Sequence, residues 1–109
     1  MLFKDCIISL TTDYNIVILT KSNCIYCKKS IELCNQYDYD FTTYKIDTFL
    51  NNNKQDVLDV IKSYNHGKEY NTLPMIFINK QFIGGYNELK EKIEQDYLFE
   101  YKEYTDIDF

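Results

Sequence analysis

The chain has 109 residues, 45% hydrophobic and 27% charged, with a formal net charge of -5. That length is one ordinary domain, able to bury a core without disulfides or a structural metal, and the composition excludes a disordered chain. The acidic balance argues against a nucleic-acid binder, which needs a basic footprint to displace counterions from phosphates, and no segment nears the roughly 18 to 20 consecutive apolar residues of a membrane span.

Arg, Ala and Trp are absent, while Lys, Asn, Ile, Tyr and Phe are abundant. This bias fits an AT-rich coding genome and says nothing of function. Without interleaved Arg, the 11 Tyr and 7 Phe read as core and surface aromatics rather than a base-stacking platform. The opening "MLFKDCIISLTTD" carries an Asp within its apolar stretch and no small-residue cleavage site, so it does not read as a secretory leader. The 4 cysteines are too few and too unevenly spaced for a secreted disulfide scaffold. The expected setting is therefore the reducing cytoplasm.

A first helix is predicted over Leu2 to Leu10, where Leu2, Phe3, Cys6, Ile7 and Leu10 share one face, so that about residues 1–12 form an N-terminal helix. "NIVILT", Asn15 to Thr20, is a continuous apolar, β-branched run that suits a central strand covered on both sides. From Tyr26 to about Tyr37 the spacing turns helical, with Cys27, Ile31 and Cys34 inward. "FTTYKID" reads as a second strand. "NNNKQDVLDVIKSYNHG" reads as a helix started by Asn, stopped by Gly67, with Val57, Leu58, Ile61 and Tyr64 inward. "MIFINKQFIGG" gives two strands about an Asn79-Lys80 turn. A last helix starts near Asn87 and buries Leu89, Ile93 and Tyr97, leaving about residues 100–109 as an acidic tail. No repeat or linker divides the chain, so residues 1–109 are expected to form one domain.

The chemistry centres on "TKSNCIYCKKSIELC", where Cys24 and Cys27 form a C-x-x-C pair between the first strand and the second helix. As half of a zinc site the pair would need two further Cys or His ligands, usually also close together, and no second pair is present. Cys6 and Cys34 lie on apolar helical faces, where they read as packed small hydrophobes. His66, the only histidine, falls in a loop. A redox role fits better. Cys24 falls at a helix N-terminus, where unpaired N–H groups and the helix dipole favour a thiolate, the attacking species in disulfide exchange. Cys27, one turn inside, is suited to resolve the mixed disulfide. Lys21 adds positive potential nearby.

With these residues in view the sequence resembles the glutaredoxin family across nearly its whole length, in "KSNCIYCKK", "NTLPMIFINKQFIGG" and "GGYNEL". The resemblance implies a thioredoxin-like α/β fold, a four-stranded mixed sheet flanked by helices on both faces, with the first strand parallel to the second and third and the last antiparallel at the hairpin edge. It implies glutathione-dependent reduction of protein disulfides and protein-glutathione mixed disulfides, with glutathione as co-substrate, no tightly bound cofactor and no metal. Thr72, Leu73 and Pro74 match a Thr-Val-Pro segment whose proline follows a cis bond, so that Leu73 pairs with the cysteinyl part of glutathione. Gly84 and Gly85 open the final helix, whose N–H groups at Tyr86 and Asn87 would hold the γ-glutamyl carboxylate. Glu88 is the nearest carboxylate for the glutathione ammonium. Lys21 matches the lysine that pairs with the glycine carboxylate, and Tyr26 the tyrosine flanking the sulfur. The partners implied are glutathione and disulfide or glutathionylated proteins, with no nucleic acid, no membrane and a monomeric state.

Ile25 departs from the family's usual Pro, which keeps open a bridging two-iron two-sulfur cluster held with glutathione. A Gln or Arg common on the family's third helix has no clear match; Gln55 and Lys54 are the nearest candidates. A thioredoxin-like reductant served by a flavoprotein reductase is the other enzyme alternative, although Asn23 and Ile25-Tyr26 differ from the Trp and Gly-Pro expected there. An inert structural pair is the remaining one, if Cys24 is buried.

Overall fold

β1 (Ile16–Thr20) is buried along its whole length and sets the architecture. It pairs with β2 (Thr42–Lys45) on one side and β3 (Met75–Ile78) on the other, and β3 continues to β4 (Gln81–Gly84), giving the order β2-β1-β3-β4. The computed structural model describes residues 2–107, with side chains through Asp96. Its helices are α1 (Phe3–Asp13), α2 (Ile25–Gln36), α3 (Asp47–Tyr64) and α4 (Tyr86–Ile107).

Strand alternation divides the core in two. Val17 and Leu19 point toward α1 and α3, where they meet Phe3, Ile7, Val57, Ile61, Met75 and Phe77. Ile16 and Ile18 point the other way, onto Cys34 of α2 and Leu89 and Ile93 of α4, with Ile76 beside them. The four-stranded mixed sheet with helices on both faces is thus as the sequence implied.

One expected strand direction is wrong. β2 runs parallel to β1, but β3 is antiparallel to it, with Leu19 opposite Met75 and Ile16 opposite Ile78. The reason lies in the segment 65–74. β2 ends with Lys45 opposite Thr20, so α3 departs from the end of the sheet where β1 finishes, and segment 65–74 returns the chain to that same end before β3 begins. β4 is antiparallel to β3, and both turn residues, Asn79 (φ 50°) and Lys80 (φ 70°), take the left-handed conformation of a type I′ hairpin.

Helix boundaries also shift. α1 buries Phe3, Cys6, Ile7 and Thr11 and extends to Asp13, but Leu2 sits exposed at its N-cap rather than on the inward face. The second expected strand stops at Lys45, because Asp47 begins α3 and engages a loop instead. The Asn run then marks a break inside α3: Asn53 leaves helical geometry (φ -157°, ψ 80°), and its side-chain oxygen accepts from the Asp56 N–H at 3.1 Å, capping the second segment. Val57 and Ile61 of that segment are buried, Leu58 and Tyr64 half-buried. The helix ends at Tyr64, and Gly67 (φ 78°) returns its N–H to the Lys62 carbonyl at 3.0 Å. α4 begins at Tyr86, a residue earlier than expected, and its helical backbone continues to Ile107, within the segment expected as a tail; the predicted burial of Tyr97 falls on a side chain outside those described. Among the described residues no helix is long and apolar enough to cross a membrane.

Phe77 is fully buried and packs edge-on against Tyr64 and Phe82, with ring centroids 5.2 and 5.4 Å away. Phe77→Ala is expected to cost about 3 to 5 kcal/mol, read as a lower midpoint in urea unfolding with an unchanged m-value.

Candidate active site

The end of β1 delivers the chain to a short turn in which Asn23 (φ 59°) adopts the left-handed conformation, and Cys24 then caps α2. Its sulfur accepts the backbone N–H of Cys27 at 3.2 Å, the contact by which an N-cap satisfies a first-turn donor. Cys24 and Cys27 are joined as a disulfide, with Cα atoms 5.2 Å apart. Both are largely covered, at 8% and 3% accessible. Between them Ile25 (69%) and Tyr26 (53%) stand out into solvent. The missing Pro at Ile25 therefore leaves an exposed apolar side chain beside the sulfurs.

The turn is held from across the sheet. Asp47, at the first position of α3, accepts the Ser22 backbone N–H with both carboxylate oxygens, at 3.1 and 3.2 Å. Hydrogen bonding from Ser22, its side chain first and its backbone N–H after it, together with the Lys45 charge, holds the Asp47 carboxyl below the ordinary carboxylate range against an opposing effect of desolvation. The sequence pattern places Asp47 at the end of a strand and gives no sign of this anchor.

The antiparallel register puts the start of β3 beside this turn, and the Leu73–Pro74 bond is cis, as the resemblance implied. Tyr26, Thr72, Leu73, Pro74, Gly85, Tyr86, Asn87 and Glu88 converge on one cleft of about 260 Å³. The rings of Tyr26 and Tyr86 lie 5.7 Å apart, bridging the starts of α2 and α4, and the Lys29 ammonium sits 5.1 Å from the Tyr26 centroid. Lys21 lies in an adjoining cleft of about 330 Å³, with Ser22, Asp47, Asn51 and Lys54. Leu73 lines both clefts. The cysteines themselves open into a third, of about 200 Å³, that shares Lys21 and Ser22 with the second.

Of the two candidates on α3, Lys54 faces Lys21 across the second cleft. Gln55 does not; its amide donates to Asp59 at 2.8 Å, and it lines a separate recess.

The glycines make room for the protein's own groups. A Cβ on Gly85 would run into the Tyr70 hydroxyl and lie 3.3 Å from the Pro74 carbonyl, and one on Gly84 (φ 118°) would run into Glu88. Glu88 itself reaches back, its Oε1 accepting the Gly85 N–H at 2.8 Å, which is half of a capping box. One of its oxygens is therefore committed to starting α4. Tyr70, overlooked in the sequence, walls the same cleft and packs edge-on against Phe82 at 5.1 Å. Burial pushes its phenol up, a hydrogen bond with Thr72 opposes this, and the charge of Glu88 adds to the rise, so it stays a donor at ordinary pH. Two residues before Thr72, an aromatic beside the cis-proline turn was the only available signal.

Cys34 is fully buried, and burial raises its thiol to about 11. Cys6 is buried too, against Tyr44 of β2. His66 is exposed in the turn after α3. Among the described residues no group of three or more His, Cys, Asp or Glu is placed to hold a metal ion.

A cysteine pair capping the helix after the central strand, beside a cis-proline that opens the antiparallel neighbour strand, defines a thioredoxin-like dithiol protein. The glutaredoxin family model matches residues 16–83, more than half of the chain, and the chain belongs to that family. It is similar to glutaredoxin-2 of Schizosaccharomyces pombe, 30% identical over 77 residues, a match covering 70% of this chain and 64% of that protein. A probable glutaredoxin of Acanthamoeba polyphaga mimivirus is 28% identical over 82 residues, covering 72% of this chain and 76% of that one. Among solved structures, a buckwheat glutaredoxin-glutathione complex shares the fold with a TM-score of 0.69 at 20% identity, covering 85% of this chain and 80% of that one. The dithiolic glutaredoxin 2-C-Grx1 of Trypanosoma brucei brucei does so with 0.66 at 24%, covering 83% and 88%.

Because the folded-state acidity of Asp47 is depressed, its contribution to stability is fully present above the unfolded carboxylate pKa, roughly 3.9, and is lost as pH falls through the lower folded value. Asp47→Asn is expected to lower the urea midpoint at neutral pH and to converge on the parent protein as pH falls through the depressed folded value, measured by unfolding at a series of pH values.

Proposed function

We propose that this protein is a glutathione-dependent thiol-disulfide oxidoreductase, reducing protein disulfides and protein-glutathione mixed disulfides as a monomer in the reducing cytoplasm. The observation that carries this reading is the pair of clefts that meet at Leu73, one ending in the Lys21 and Lys54 ammonium groups and the other at the α4 N-terminus with Glu88. Glutathione is an extended γ-linked tripeptide with a carboxylate at each end and one ammonium, and three residues reach about 10 Å. Its glycine carboxylate suits Lys21 and Lys54. Its central amide suits the backbone of Leu73, which adds a short strand there because Pro74 offers no competing N–H. Its γ-glutamyl carboxylate suits the first N–H groups of α4 at Tyr86 and Asn87, and its ammonium suits the oxygen of Glu88 not used by Gly85. The solved complex of the buckwheat relative with glutathione supports the same ligand class.

In the reduced protein the α2 N-terminus and the Cys27 N–H favour the Cys24 thiolate. This thiolate attacks the glutathione sulfur of a mixed disulfide; a Cys24-glutathione bond forms as the client leaves as a thiolate and takes a proton. A second glutathione thiolate then attacks the bound glutathione sulfur, releasing oxidised glutathione and restoring Cys24. With a protein disulfide, Cys24 bonds to one client sulfur and expels the other. Cys27, as thiolate, next attacks the Cys24 sulfur, freeing the reduced client and leaving the Cys24–Cys27 disulfide seen here. Two glutathiones reduce it, becoming one oxidised glutathione.

A glutathione-coupled assay tests the assignment. Cys24→Ser is expected to abolish turnover of both substrates, whereas Cys27→Ser retains deglutathionylation and loses reduction of protein disulfides. Equal activity in all three proteins refutes it. Lys54→Ala is expected to raise KM for glutathione about 2- to 5-fold with kcat little changed, the scale of one exposed charge pair, while Gln55→Ala leaves KM unaltered.

A further inference from the structure

Glutathione in the Leu73 clefts leaves the other flank of the cysteine pair without an occupant. On that side Cys24 and Cys27 open into the cleft of about 200 Å³, floored by Thr20, Ile31 and Thr43 and rimmed by Lys28 and Lys45. Strand register explains the lining. Thr43 pairs with Ile18 and Lys45 with Thr20, so both project from the sheet face that carries α2. Lys28 follows Cys24 by four residues and so stands one turn along the same side of the helix start. β2 is the edge of the sheet, so this flank is open.

The local sign of charge is opposite to that of the molecule. In a chain of net charge -5, three exposed lysines line this cleft beside the redox sulfurs: Lys28 and Lys45 belong to it alone, and Lys21 is shared with the second cleft. Asp47, two residues after Lys45, feels that charge, but both its oxygens accept the Ser22 N–H and it lines the Lys21 and Lys54 cleft rather than this one. Lys29 turns away, over the Tyr26 ring. In a mixed disulfide the sulfur that meets Cys24 is glutathione's and its bonded partner belongs to a polypeptide, so with glutathione on the Leu73 side the polypeptide's path is on the β2 side; in a protein disulfide the client's own sulfur meets Cys24 and the same open flank offers the chain its path.

We propose that this cleft is where the client polypeptide docks, and that Lys28 and Lys45 select segments with acidic residues beside the target cysteine. The inference rests on Cys24 as the attacking sulfur. Opposite charges at a rim steer encounter and fix orientation, and a like charge there repels.

Single-turnover reduction by the pre-reduced protein isolates this step, because it needs no glutathione. The probes are two cyclic disulfide peptides identical except for Glu or Gln at the positions flanking one cysteine. The parent protein is expected to react about tenfold faster with the Glu peptide at low salt, a preference that shrinks as salt rises. Lys28→Gln/Lys45→Gln is expected to erase the preference, and Lys28→Glu/Lys45→Glu to reverse it. Equal rates of the parent protein on the two peptides overturn the proposal, as does a loss in the variants that falls equally on both. A preserved peptide preference with no glutathione-coupled turnover would remove the glutathione reading alone. A parent protein that reduces neither peptide overturns both readings.

Discussion

The antiparallel pairing of β3 with β1 is the constraint on which the site depends. Met75 opposite Leu19 fixes Pro74 at the end of the sheet where the chain leaves β1 and turns into Cys24. A slip of one residue would carry Met75 and Phe77 from the α1/α3 side to the α2/α4 side and expose the ring cluster around Phe77. Core packing and site assembly are therefore one requirement: the residues that bury Phe77 also bring the cis-proline segment to the cysteine turn.

Within that frame the electrostatics come from chain ends and fixed partners more than from free side chains. Two helix starts, α2 at Cys24 and α4 at Tyr86, point donors at the region where an anionic tripeptide would lie. Tyr26 and Tyr86 bring their rings together between them. Asp47 ties the cysteine turn to α3, which in turn carries Lys54. The acidic chain thus assembles a positive region from backbone dipoles and a few lysines.

What was legible in the sequence was local. The C-x-x-C spacing after a β-branched run, the single proline and the paired glycines each carry their meaning within a few residues, and the structure gathers Cys24, Cys27, Pro74 and Gly85 around one end of the sheet. The direction of β3 was not legible, because it is decided by where segment 65–74 carries the chain and no short motif encodes that path. Tyr70 was missed for the same reason: its meaning is a contact with Gly85, fifteen positions along the chain. The Asn run carries half of the helix start. Asn53 does start a helical segment, but Asp47 had already begun one. Glu88 stands out in the sequence as a ligand group, and its place three residues after Gly85 also spells a capping contact.

Cys34 shares a helix face with Cys27, yet burial keeps its thiol protonated up to about 11. Seven residues of helix separate the two by about 10 Å, beyond the span that a disulfide can bridge. A protein whose working sulfurs gain and lose a bond is thereby guarded against scrambling through this helix: Cys34 stays protonated at neutral pH and beyond bonding reach of Cys27. Fidelity of pairing is built into the placement of an ordinary core residue.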